Sequence, residues 1–276
     1  MNNLETALRI VRLSDTGKLR KRNEDAIASD VSIGMAVLAD GMGGYNAGDV
    51  ASQMAVLTIT ADLKTKFKNA STEKIYMDVN LVKSLLIDAT KAANQAIYQV
   101  SNEQPQCAGM GTTLVLSVFI NNKVVIGHIG DSRAYLLRDN NFIQLTSDHS
   151  VLQEQLDSGL LTPEQAKFAT YKNYVTRALG VEPEVDLELN TFDVSVGDIY
   201  LLCSDGLSEM LEDDEIKAII IEENETLAHR ASELVKKANL HGGKDNISVI
   251  LIEVLEDFAS IRPTWYQALI GKVIKG

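Results

Sequence analysis

Three apolar runs in this sequence end in the same way, and that repetition constrains the fold more than any other feature. Gly34-Met-Ala-Val-Leu-Ala39 runs into Asp40-Gly41, His128-Ile-Gly130 into Asp131-Ser132, and Leu201-Leu-Cys-Ser204 into Asp205-Gly206. A fourth acid, Asp245, stands just before the last apolar run in Gly242-Gly-Lys-Asp-Asn246. A carboxylate directly after a buried strand sits at the rim of a sheet, held by a rigid element yet open to solvent. Taken singly, such an Asp-Gly is an ordinary turn. Several at one rim repel one another and need a cation. Donors that are all oxygen select hard divalent ions such as Mg²⁺ or Mn²⁺.

The runs themselves read as strands. Thr113-Leu-Val-Leu-Ser-Val-Phe-Ile120 and Lys123-Val-Val-Ile-Gly-His-Ile129, joined at Asn121-Asn122, form a hairpin. Arg133–Arg138 and Phe142-Ile143 extend it into a meander, with Asn140-Asn141 between them. Residues 34–39, 198–203 and 246–254 are further strands. Two amphipathic helices precede the meander. One, 47–67, carries Val50, Met54, Leu57 and Ala61 on its apolar face. The other, 80–100, carries Val82, Leu85, Leu86, Ala89, Ala93, Ile97 and Val100, with Asn80 as its N-cap. A second pair, 213–222 and 226–240, stops at Gly242-Gly243. This order does not alternate strand and helix. It predicts an α+β chain: a central antiparallel β-sandwich flanked by pairs of helices, in four layers.

Composition narrows the function. Of 276 residues, 38 are acidic and 26 basic, a net charge of −12, which argues against nucleic acid as the main partner. No run reaches the ~18 apolar residues of a membrane span, and the first residues lack the pattern of a signal peptide. Two cysteines, Cys107 and Cys203, are too few for a disulfide framework and suit a reducing cytoplasm.

Near the start, Gly17-Lys-Leu-Arg-Lys-Arg-Asn-Glu-Asp25 sets cations beside acids. An arginine next to metal ligands is suited to gripping phosphate, because guanidinium binds it bidentately. With that segment the motifs form an ordered set. Gly17-x-x-Arg20-x-x-Asn23-Glu24-Asp25 comes first, then Asp40-Gly41-Met-Gly-Gly44 with Gly48-x-x-Ala51-Ser52. Gly109-Met-Gly-Thr-Thr113, Gly127-His-Ile-Gly-Asp-Ser-Arg133, Leu145-Thr-x-Asp-His-Ser150 and Thr176-Arg-Ala-Leu-Gly180 follow. Leu202-Cys-Ser-Asp-Gly-Leu207 and Gly243-Lys-Asp-Asn246 close it. Over residues 8–254 the chain resembles the bacterial metal-dependent Ser/Thr protein phosphatases of the PPM, or type 2C, family.

The resemblance implies the same sandwich with metals at one end, and it implies roles. Asp40 would bridge two Mn²⁺ or Mg²⁺ ions. Asp205 and Asp245 would complete the first site, and the carbonyl of Gly41 would join the second. Glu24 and Asp25 would act through bound waters, with Asn246 in support, and Asp131 with Asp205 would hold a weaker third ion. Arg20 would clamp the substrate phosphate, and hydroxide held between the ions would attack phosphorus in line. Substrates would be phosphoserine and phosphothreonine proteins, set against a Ser/Thr kinase of the same cell, and the enzyme would be a cytoplasmic monomer. Tyr45 stands where many bacterial members carry histidine, a candidate proton donor to the leaving oxygen. The alternative is a catalytically weak or silent binding module on the same fold, although every metal carboxylate is present. An aspartyl-nucleophile phosphatase would want Asp-x-Asp, and position 42 is methionine.

The resemblance divides the chain into a phosphatase domain, 1–254, with a flap at about 150–176, and an extension, 255–276. Within the extension Tyr266, Leu269, Ile270, Val273 and Ile274 follow the spacing of a short amphipathic helix.

Overall fold

The computed structural model describes residues 4–43, 47–73, 75–166, 174–222 and 224–259. Tyr45 and the expected helix at 266–274 lie outside them. A turn of helix, α1 (Leu4–Ala7), opens into β1 (Leu8–Asp15), β2 (Asp25–Asp30) and β3 (Met35–Met42), followed by the long helices α2 (Gly48–Glu73) and α3 (Val79–Glu103). The strands β4 (Gly111–Thr112), β5 (Leu114–Ile120), β6 (Lys123–Ile129), β7 (Arg133–Arg138) and β8 (Asn141–Gln144) come next. Then α4 (Val151–Asp157) and α5 (Pro163–Ala166) precede β9 (Glu188–Asp193) and β10 (Ile199–Cys203). The helices α6 (Asp205–Ser208), α7 (Asp213–Ile220) and α8 (Leu227–Leu240) lead to β11 (Ile247–Val254).

The strands form two antiparallel sheets, one in the order β1-β11-β10-β7-β8, the other β2-β3-β5-β6-β9 with β4 beside β3. Alternation along the strands divides the core into three layers. On β3, Ala36 and Leu38 face the other sheet, while Met35, Val37 and Ala39 face α2 and α3. On β11, Ile250, Ile252 and Val254 point between the sheets, while Ile247, Val249 and Leu251 meet α7 and α8. The result is the predicted four-layer sandwich. Both hairpin turns hold their two central residues at positive φ, Asn121 and Asn122 in one, Asp139 and Asn140 in the other. This is the turn whose twist matches paired strands.

Two expectations about the helices need correction. The buried face of α2 is Ala51, Ser52, Ala55, Ile59 and Leu63, whereas Val50 and Leu57 are exposed, Leu57 by 68%. Val56, Ile59 and Leu63 join Ala51 and Ala55 there, so the apolar stripe exists but lies on the neighbouring face of the helix. The cap of α3 is Asp78, whose carboxylate accepts the Leu81 amide at 2.9 Å, not Asn80. The chain also forms β1, β2 and β9, which the apolar runs did not announce. Beyond β11 the packing continues: Phe258 is buried and meets the Phe119 ring edge-on.

The end of the sandwich holding Asn121 and the start of β10 is tied by Asp198, which is 1% exposed. Its carboxylate accepts from Arg138 at 2.6 and 2.7 Å, the Ser195 amide at 2.8 Å and the Tyr200 hydroxyl at 3.1 Å. Removing one partner of such a buried network strands the others. Asp198→Ala is expected to lower unfolding free energy by about 3 kcal/mol, read as a fall in the urea midpoint with an unchanged slope.

Candidate functional site

The acids gather at the opposite end, where β2 begins and β10 stops. Strand pairing does the first part of the work. Asp25 and Asp40 are direct register partners, so their carboxylates share one edge. Asp40 therefore lies within β3, which runs on to Met42, rather than in a turn after the strand. Its backbone is held on both sides. Its N–H donates to Thr113 Oγ1 at 3.0 Å, and its carbonyl accepts from the Thr112 hydroxyl at 2.8 Å and the Thr113 amide at 2.9 Å. Gly41 follows because nothing larger fits: a Cβ there would stand 2.0 Å from the Gly48 carbonyl oxygen. That approach brings the start of α2 against Glu24, whose carboxylate accepts from the Gly48 amide.

Asp205 is the first residue of α6, again not a turn residue. Gly206 beside it allows Asn246 to come close, since a Cβ would sit 1.9 Å from the Asn246 carbonyl oxygen. Asn246 then pins the N-terminal segment. Its Nδ2 donates to the carbonyls of Thr16 and Arg22, both at 2.9 Å, and its Oδ1 accepts the Glu24 amide at 2.7 Å. Asp245 accepts from Arg20 Nη2 at 2.6 Å, and Glu24 lies 3.9 Å from the same guanidinium. Arg20 is thus paired with a carboxylate expected to bind metal, because it is the nearest cation to a crowd of acids. Asp131 completes the set on the turn after β6 and is buried.

Every predicted acid of the first motif set meets in one field. Burial, then the charges of Asp25, Asp205, Asp245 and Asp131, in that order, raise the Asp40 carboxyl well above the usual range. Burial and then Asp131 and Asp245 do the same to Asp205. Among its neighbours, the charges of Asp25 and Asp205 act on Asp40 most strongly. Asp25 is pushed up to about 6, mainly by burial, even though the Ser204 hydroxyl donates to it at 2.8 Å. Asp131 also rises to about 6, through burial and the charge of Asp148. One oxygen of Asp25 and one of Asp205 are buried without a hydrogen-bond partner. Bare, inward carboxylate oxygens in an oxygen-only cluster are what a hard divalent ion satisfies. The residues fit Mn²⁺ or Mg²⁺.

Other chemistries fit less well. Cys203 is buried in β10, and burial pushes its thiol up to about 12, so it stays protonated. Among the described residues, donor atoms of His128, His149 and Glu188 lie within 4.8 Å of one another. Their geometry opposes a shared ion. The two rings stack, centroids 4.6 Å apart at 25°, so their in-plane lone pairs cannot converge. His149 Nδ1 accepts the Gly130 amide at 3.2 Å, which leaves the proton on Nε2, facing Glu188 at 3.2 Å. His128 Nε2 donates to the Ser147 carbonyl at 2.8 Å. Burial lowers the pKa of His149, which keeps the ring neutral in this arrangement.

The group serves instead as a buttress for the turn that carries Asp131. His149 holds Gly130 on one side of that turn. Asp148 accepts two bonds from Arg133 Nε and one from Nη2, at 2.7 to 3.1 Å, on the other. The same stretch starts the expected flap, whose ends are tied by the Val151 amide to the Tyr174 carbonyl and the Thr176 amide to the His149 carbonyl. Sequence reading missed Thr113, Ser132 and Ser204 as supports. Thr113 and Ser132 share a 2.7 Å hydroxyl contact beneath Asp40 and Asp131; the serines directly beside Asp131 and Asp205 were the available signal, whereas Thr113 neighbours no acid in the sequence.

Comparison with known proteins agrees with this geometry. The family model for protein phosphatase 2C matches residues 19–241. The chain is similar to protein phosphatase PhpP of Streptococcus pneumoniae, 38% identical over 255 residues, covering 91% of this chain and 100% of that protein. It is similar to serine/threonine phosphatase stp of Listeria monocytogenes, 37% identical over 243 residues, covering 87% and 93%. Among solved structures, the catalytic domain of the serine/threonine phosphatase PstP in complex with two manganese ions superposes with a TM-score of 0.78. It is 35% identical, with 91% of this chain and 99% of that one covered.

The carboxyl shifts set the sign of the pH dependence. Without cations, the folded site still holds protons above pH ~4, where unfolded aspartates have released theirs. Cation-free protein is therefore expected to lose stability as pH rises from about 4 through about 6 and beyond. Mn²⁺ at a hundred times its dissociation constant should raise the melting temperature at pH 8 by roughly 5–10 °C. Asp40→Asn should melt higher than the parent without Mn²⁺ and lose most of that rise, as followed by thermal unfolding.

Proposed function

The chain belongs to the protein phosphatase 2C family, and from that premise we propose how its acidic end acts on phosphoserine and phosphothreonine. Members of the family are metal-dependent protein phosphatases, and this chain is one of them. Its cofactor is Mn²⁺ or Mg²⁺. The observation that carries the residue assignment is the field around Asp40, where four further carboxylates converge and two buried oxygens lack partners.

Asp40, Asp205 and Asp245 are proposed to hold the ions, together with the Gly41 carbonyl. Glu24, Asp25 and Asn246 keep those groups in register, and Asp131 with Asp205 holds a further ion. When bound, the ions supply positive charge against the phosphate oxygens and lower the pKa of water at the site. Arg20 acts on the phosphate itself. Cations at Asp245 and Glu24 would take over the charge that the guanidinium now balances, leaving its planar donors for the substrate. Because the frame of hydrogen bonds around Asp40, Asp205 and Asn246 is already made, little reorganisation remains for the chemical step.

The rest of the assignment follows the same logic. Residues 1–254 are taken as the phosphatase domain, with the flap at about 150–176, and 255–276 as an extension. No helix among the described residues is long and apolar enough to cross a membrane. A monomer acting in the cytoplasm, opposite a Ser/Thr kinase and its targets, fits two buried free cysteines and a site made for phosphate.

The test is hydrolysis of a phosphothreonine peptide with Mn²⁺. Chelation should abolish turnover, and Asp40→Asn and Asp205→Asn should each leave background rates. Arg20→Ala should lower kcat/KM about 100-fold, the loss of one charged hydrogen-bonding pair to the transition state, about 2.7 kcal/mol. Activity that survives chelation and both aspartate substitutions would overturn the assignment.

A further inference from the structure

The acidic site has a basic rim. Residues 17–22 cross its mouth with Lys18, Arg20, Lys21 and Arg22, all exposed, and Lys244 joins them, also exposed, from the facing loop. Hydrogen bonds fix this juxtaposition. The amides of Lys18 and Leu19 donate to the Gly243 carbonyl at 2.7 and 3.2 Å, and the Arg22 carbonyl accepts from Asn246 at 2.9 Å. Lys18 and Arg22 therefore flank Arg20, and Lys244 adjoins Asp245, the residue that Arg20 grips.

Pairing separates these cations into two kinds. Arg20 is bound to Asp245 and Glu24. Among the described residues, no ion pair involves Lys18, Lys21, Arg22 or Lys244. Elsewhere among the described residues, Arg9, Lys64, Lys66, Lys123, Arg133 and Arg138 each have a carboxylate partner, whereas Arg12, Lys83, Lys91 and Lys217 stand without one, so it is the clustering of the rim cations that distinguishes them. In a chain of net charge −12, four cations without an ion pair among the described residues lie close in sequence to Arg20 and Asp245, at the proposed site. The overall field repels an acidic phosphopeptide, and a local basic rim reverses that repulsion over about one Debye length, ~8–10 Å.

The scale sets what the rim can read. Two residues of backbone span at most ~7 Å, so Lys18 and Arg22 lie about as far from Arg20 as a side chain two residues away lies along an extended peptide. We propose that Lys18, Lys21, Arg22 and Lys244 form a subsite for a second anionic group on the substrate, two or three residues from the phosphoresidue being hydrolysed. The group is a carboxylate or a second phosphate. The subsite rests on the phosphatase reading above and selects among phosphopeptides rather than taking part in the chemistry.

The test compares four substrates with the full chain at saturating Mn²⁺. They are p-nitrophenyl phosphate, a phosphothreonine peptide with neutral flanks, the same peptide with aspartates two and three residues away, and one with a second phosphothreonine there. The acidic and doubly phosphorylated peptides should exceed the neutral one roughly 10-fold in kcat/KM, a few-fold for each exposed charge contact. The ratio should approach one in about 0.5 M salt. A ratio equal for both peptides identifies the carboxylate as sufficient, and a gain only with the second phosphate identifies that group. K21E/R22E, and separately K18A/K244A, should collapse the ratio while leaving p-nitrophenyl phosphate turnover unchanged. A ratio near one in the parent, or one untouched by both variants, would overturn the subsite. Failure of the parent to hydrolyse p-nitrophenyl phosphate would strike the phosphatase reading instead.

Discussion

Mutual repulsion among buried carboxylates is the constraint around which the rest of this molecule is arranged. Asp25, Asp40, Asp131, Asp205 and Asp245 act on one another at one end of the sandwich. Left to itself, such a cluster would drive its own loops apart. Its cost is met partly by retained protons and partly by Arg20, and divalent ions at the proposed site would meet the rest. The net charge of −12 is therefore not spread evenly in its consequences. Much of it is concentrated at the site proposed to bind metal, and five exposed cations lie near the same place.

Holding the cluster together requires a frame that does not yield, and the two sheets provide it. Pairing of β2 with β3 sets Asp25 against Asp40, and the same strands bury Leu38 and Val37 on opposite faces. Sliding the register by one residue would move every apolar side chain of β3 to the wrong layer, so the core itself fixes the carboxylates. On the other sheet, β10 delivers Asp205 and β11 begins just after Asp245 and Asn246. Asn246 links both to the Thr16–Glu24 segment through three hydrogen bonds, which is why a neutral amide outside the metal set matters to the geometry.

The same division explains what was legible in the residues. Strands buried on both faces, β3, β5, β6, β10 and β11, announce themselves as apolar runs, and the acids that follow them are visible for that reason. The strands that escaped notice are edge or half-exposed ones. β1 reads Leu-Arg-Ile-Val-Arg-Leu-Ser-Asp and β9 reads Glu-Leu-Asn-Thr-Phe-Asp, and tertiary pairing rather than composition makes them strands. In α2, Ala51 and Ala55 share the buried face with Val56, Ile59 and Leu63, and a stripe started from Val50 falls on the face beside it. Asp78 rather than Asn80 is the cap because α3 starts at Val79, two residues earlier than an Asn80 cap would place it. The roles of Thr113, Ser132 and His149 were hidden for a different reason. Each supports a backbone segment from a distant part of the chain, a relation that only the folded topology creates.

Rigidity and repulsion together account for the division of labour between the two ends. At the end anchored by Asp198, every oxygen of the buried carboxylate has donors, and the ion pair with Arg138 is complete. At the other, buried oxygens of Asp25 and Asp205 are left bare. The two ends bury the same functional group and treat it oppositely. A satisfied carboxylate stabilises the fold and binds nothing further, whereas an unsatisfied one destabilises it until a cation arrives. Metal at the proposed site would therefore relieve a strain that the bare carboxylates place on the fold. The sandwich tolerates that strain because three packed layers and a satisfied far end hold the strands in place.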